Sequence, residues 1–139
     1  MNKRNLGKTG LSVSEIAFGG VEIGMPYGIG KTSRNDMLAE EEAIQLLSDA
    51  IDKGINFFDT ARLYGESERI MGKAFKGKRH NLIICSKSKR FTNADGTIPP
   101  CPLLKEIIEG SLAESFQALQ TDYLDVFMLH QADEVILKN

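Results

Sequence analysis

Four short apolar runs, "SEIAFGG", "INFFDT", "NLIICSK" and "DYLDVFMLH", are each too brief to be a helix, and longer segments separate them. After the first run, "AEEEAIQLLSDAIDKG" carries Glu40, Glu41 and Glu42 where a helix N-terminus favours negative charge. Ala43, Ile44, Leu47 and Ile51 follow at helical spacing, and Gly54 stands as the stop. After the second run, Ile70, Met71, Ala74 and Phe75 give one apolar face of a second helix, with Gly72 permitting close helix packing. After the third, a polar loop closed by Pro99, Pro100 and Pro102 leads into a helix whose apolar side is Leu104, Ile107, Ile108, Leu112, Phe116 and Leu119. "INFFDT" shows no polar alternation, as expected of a strand covered on both faces. The order strand, helix, strand, helix, strand, helix, strand predicts an α/β fold with a parallel sheet and right-handed crossovers.

Ahead of this series, "KRNLGKTGLSVSEI" has two glycines as turn signals and reads as a hairpin or irregular lead-in. Residues 21–38 are Gly-rich and polar and are expected to form a long loop, a common setting for lids and binding segments.

Composition narrows the function classes. The 139 residues are 42% hydrophobic and 26% charged, the profile of one globular domain, here residues 1–139. The 17 basic and 19 acidic side chains give a formal net charge of -2, so neither nucleic acid nor an acidic membrane face is an expected partner. No apolar run approaches a membrane span or a signal-peptide core, and the expected compartment is the cytoplasm. Cys85 and Cys101 lack the spacing of a zinc motif or a disulfide framework, and no metal is expected.

The polar ends of the apolar runs carry the functional signal. Asp59, Lys87 and His130 each close a different run, and Tyr64 follows Asp59 by five residues. Taken singly, each has a plainer reading: Asp59 could cap a turn, Tyr64 could pack, Lys87 could be solvated charge, and His130 could be a core imidazole. Together they share the carboxyl edge of a parallel sheet, where barrels and open α/β sheets place their chemistry.

"NLGKTGLSVSEIAFGG", "GINFFDTARLYGESERIMGKAF", "IICSK" and "SLAESFQALQTDYLDVFMLH" resemble, in order and spacing, the successive motifs of the aldo-keto reductase superfamily. The resemblance implies a (β/α)8 TIM-barrel fold with an N-terminal β-hairpin, and NADPH-dependent reduction of an aldehyde or ketone. It implies that Asp59, Tyr64, Lys87 and His130 correspond to the family's catalytic four, and that Gly20, Val21 and Asp59 lie near the cofactor. The physical logic of the four is simple. A carbonyl that accepts hydride needs a proton at oxygen, a free phenol titrates near about 10, and a neighbouring ammonium stabilises phenolate. Lys87 is the candidate ammonium, and Asp59 would hold it in place. His130 could donate or accept a hydrogen bond at the substrate oxygen.

A complete barrel of this type needs about 250 residues. The expectation is therefore a barrel truncated to about the first four β/α units, lacking most of the cofactor contacts. Two functions follow: a carbonyl reductase with Tyr64 as general acid, or a catalytically silent half-barrel that serves as a binding module or remnant. Open barrel edges also suggest a homodimer.

Overall fold

The computed structural model describes residues 1–93, 95–132 and 134–138, with no account of the Val135 side chain. Two strands, β1 (Lys3–Asn5) and β2 (Ser12–Ser14), form the antiparallel lead-in hairpin. Asn56 anchors it. The Asn56 side chain accepts from Ser14 N–H at 2.7 Å and donates to the Ser12 carbonyl at 3.0 Å, while Asn56 N–H donates to Ser14 Oγ at 3.1 Å. The hairpin is thereby fixed beneath the N-terminal end of the sheet, opposite the edge that bears Asp59.

The main sheet is parallel and ordered β3 (Phe18–Gly19), β4 (Phe57–Asp59), β5 (Ile83–Lys87) and β6 (Val126–Met128). Its crossovers contain α2 (Glu40–Asp52), α3 (Ser67–Ala74) and α4 (Cys101–Leu119). The N-terminus of α2 is closed by Glu42, which accepts from Ala39 N–H at 3.0 Å. Ala43, Leu47 and Ala50 of α2 meet Ile70, Met71 and Phe75 over Phe58 and Ile84 of the sheet, and this is the core. Phe58 stacks at a tilt on Phe75, with centroids 4.7 Å apart. A Cβ on Gly72 would stand 2.5 Å from the Ala118 carbonyl, so α3 and α4 approach closely there as the sequence predicts.

Three details differ from the sequence reading. Residues 21–38 are not loop throughout: α1 (Val21–Gly24) forms directly after β3, and a 3₁₀ turn covers Arg34–Asp36. The buried residues of α4 are Ser111, Ser115 and Leu119, while its larger apolar side chains are only half-covered. The strand expected to end at His130 ends at Met128, leaving His130 two residues beyond it. A short helix, α5 (Glu134–Leu137), follows. No helix among the described residues is long and apolar enough to cross a membrane.

Candidate active site

Strand register decides how the polar residues meet. Asp59 is level with Cys85 on the neighbouring strand, not with Lys87, so Lys87 stands two residues further along β5 and reaches back diagonally. Its Nζ donates to Asp59 Oδ1 at 2.7 Å and Oδ2 at 2.8 Å, to the Thr60 carbonyl at 3.0 Å and to Tyr64 Oη at 3.3 Å. The ammonium also lies 4.8 Å from the centre of the Tyr64 ring. Burial works against the Lys87 charge, yet the hydrogen bond and charge of Asp59, joined by Tyr64, outweigh it and hold Lys87 above the usual lysine value. Lys87 is thus a fixed ammonium.

Tyr64 is brought to it by a tight loop. Tyr64 N–H donates to the Ala61 carbonyl at 3.0 Å, and Arg62 N–H donates to the Lys87 carbonyl at 3.3 Å. The far side of the loop rests on α1: Glu66 N–H donates to the Gly24 carbonyl at 2.9 Å. A Cβ on Gly24 would fall 1.9 Å from the Tyr64 carbonyl oxygen, so only glycine lets α1 and the Tyr64 loop touch.

His130 joins the group from the far side. Its ring meets the Tyr64 ring edge-on, with centroids 5.8 Å apart and planes at 79°. Burial pushes its pKa below the ordinary histidine value, helped by the positive charges of Lys87 and Arg90 and opposed by Asp59. It is therefore a neutral imidazole near pH 7, and its buried Nδ1 finds no hydrogen-bond partner among the described residues. Cys85, beside Asp59, is no nucleophile: burial, and after it the Asp59 charge, push its thiol up to about 11. Among the described residues no group of three or more His, Cys, Asp or Glu side chains is placed to hold a metal ion.

The four residues singled out from the sequence come together in one cluster. Of the two other positions expected near a cofactor, Gly20 owes its size to packing: a Cβ there would stand 2.5 Å from Met71 Cε and from Ser67 Oγ, and its N–H is donated to the Asp59 carbonyl at 2.8 Å. Val21 begins α1 and is half-buried. Gly19, level with Asp59 at the exposed end of β3, has nothing within 4 Å of where a Cβ would be, so there is open space beside Asp59. The residues present leave room beside Asp59 for one end of a dinucleotide.

The sequence reading also missed a buried polar network behind the site. The Glu68 side chain is 1% exposed. It accepts from Ser86 Oγ at 2.5 Å and Ser115 Oγ at 2.7 Å, and it pairs with Arg62. One signal was available: Glu68 lies on the same helical stripe as Met71 and Phe75, where a charge has no business unless it is paired.

Comparison with known proteins identifies the family. Residues 15–136 match the Aldo/keto reductase family. The chain is 34% identical to aldo-keto reductase AMT2 of Alternaria alternata over 94% of its length, and 33% identical to L-galactose dehydrogenase of Arabidopsis thaliana, again over 94%. It spans 41% and 38% of those two proteins. Among solved structures, aldo-keto reductase AKR11C1 from Bacillus halodurans in its holo form superposes with a TM-score of 0.73 at 32% identity, covering 96% of this chain and 41% of that one. The chain belongs to the aldo/keto reductase family.

Proposed function

We propose that this chain carries the proton-transfer half of a carbonyl reductase, in which Tyr64 gives a proton to the oxygen of a small aldehyde or ketone. The observation that carries the reading is the Lys87 ammonium, which bonds Asp59 and Tyr64 Oη at once. NADPH would supply the hydride when bound, and by the family resemblance its reacting end would lie beside Gly20, Val21 and Asp59. Lys87 donates to Tyr64 Oη, so the phenolic proton is free to face a substrate. As that proton leaves, the ammonium stabilises the phenolate that remains. Asp59 keeps Lys87 charged and in place. His130, neutral, offers one N–H to orient the carbonyl oxygen.

The chain is read as a single partial domain, the N-terminal portion of a (β/α)8 barrel working in the cytoplasm, where its two unpaired cysteines stay reduced. Among the described residues β3 and β6 are edge strands, and Met128 and Leu129 are exposed beside β6. These features support a homodimer joined through the edges.

The test is to fuse the chain to the C-terminal portion of a related reductase and compare it with Tyr64→Phe. Loss of about 10²-fold or more in carbonyl reduction, with folding intact, fits general-acid catalysis. Unchanged turnover removes Tyr64 from the chemistry.

A further inference from the structure

Lys87 and Tyr64 come from different elements, and their 3.3 Å contact has to be set by something beneath them. Side chains alternate along β5: Lys87 points to the site, and Ser86 points the other way, into the helix layer. There Ser86 Oγ donates to Glu68 Oε1 at 2.5 Å, and Ser115 Oγ of α4 donates to the same oxygen at 2.7 Å. The other oxygen, Oε2, is bound by Arg62. Arg62 belongs to the loop that carries Tyr64, two residues ahead of it, and its own N–H is donated to the Lys87 carbonyl at 3.3 Å. Its second guanidinium nitrogen reaches Glu114 Oε2 at 3.2 Å, and Glu114 in turn accepts from Lys89 at 2.6 Å. One buried carboxylate therefore ties the strand bearing Lys87, the loop bearing Tyr64 and the helix behind both.

We propose that Glu68 is a positioning residue for the Lys87–Tyr64 pair, acting through Ser86 on the strand and through Arg62 on the loop. A carboxylate suits the task because it accepts from several donors at once without supplying a proton of its own. The side chain is sealed from solvent, so water does not replace a lost partner. The proposal rests on the reading of Lys87 and Tyr64 as a working pair, but its test is geometric and independent of turnover.

The probe is the full chain labelled with 13C at the lysine ε-carbon, the Lys87 signal being identified by its loss in Lys87→Arg. The Tyr64 ring lies 4.8 Å from Lys87 Nζ, so its ring current displaces the Lys87 ε-protons. That displacement is retained in Tyr64→Phe, which keeps the ring, whatever Tyr64→Phe does to activity. Glu68→Gln keeps the shape but sets an amide among donors, and the displacement is expected to collapse toward that of a free lysine. Leu47→Ala, which weakens the core between α2 and α3 without removing any hydrogen bond of the network, is expected to leave it unchanged. If Glu68→Gln does not fold, Arg62→Gln decides alone, since Arg62 is the link to the loop. A folded Glu68→Gln or Arg62→Gln protein with the wild-type displacement overturns the proposal, as does equal loss in Leu47→Ala.

Discussion

Lys87 Nζ stands 2.7 and 2.8 Å from the two carboxylate oxygens of Asp59, although strand register sets Asp59 opposite Cys85 and not opposite Lys87. The diagonal reach has a consequence. Had the two been level, the ammonium would be spent on a flat cross-strand pair. Displaced by two residues, it sits beyond the strand end, where the Thr60 carbonyl and Tyr64 Oη also come within reach.

Asp59→Asn leaves the Lys87 charge without its counter-ion. The expected loss of stability is about 1–2 kcal/mol by chemical denaturation, below the range for a fully buried pair because the Asp59 side chain is 35% exposed. Lys87 is held above the usual lysine value, so its stabilisation is fully present below about pH 10.4 and is lost as pH rises through the higher folded value. The advantage of wild type over Asp59→Asn should therefore narrow as pH climbs past about 10. An advantage that stays constant to strongly alkaline pH would mean that the pair contributes no such linkage.

His130 titrates the other way. Its folded pKa is depressed, chiefly by burial, so below the ordinary value of about 6.5 the unfolded chain takes up the proton first. Stability should be full above about pH 6.5 and fall as pH drops through the lower folded value. His130→Gln should flatten the part of the stability profile just below about pH 6.5. Denaturation midpoints measured across that range check it.

Gly24→Ala tests how the Tyr64 loop is seated. The added methyl would meet the Tyr64 carbonyl oxygen at 1.9 Å and Ser67 N at 2.5 Å, both backbone atoms that cannot swing aside. Overpacking of this kind costs about 1–3 kcal/mol. The melting temperature should fall, and amide chemical shifts at Tyr64 and Ser67 should move more than those in the hairpin. Unaltered shifts there would show that α1 yields instead.

The isolated 139-residue chain should bind NADPH no more tightly than roughly millimolar, or about -4 kcal/mol. On the proposed reading its contacts would reach only the reacting end of the cofactor, and a long charged dinucleotide loses much freedom on binding for few bonds. Cofactor fluorescence titrated against the chain measures this. Micromolar affinity with aldehyde-dependent oxidation would show that two half-barrels rebuild a usable site.

The alternation of apolar runs and helical spacing was enough to predict the parallel sheet, because burial demands period and length whatever the partner. For the same reason the α2 stripe of Ala43, Ile44, Leu47 and Ile51 was legible, and so was Gly72 at the crossing of α3 and α4. The candidate residues Asp59, Tyr64, Lys87 and His130 were legible from their places at the ends of those runs, together with their resemblance to known motifs. What the sequence left open depended on atoms far apart in the chain. The α4 helix reads as apolar, yet it turns Ser115 inward to donate to the buried Glu68 of α3, and Ser111 inward to accept from Lys89 N–H after β5. His130 stands two residues past its strand, since β6 pairs only as far as Met128 opposite Lys87. Local pattern sets which residues are buried. Register and the polar network around Glu68, which involve residues up to 52 positions apart, are decided only when the elements pack.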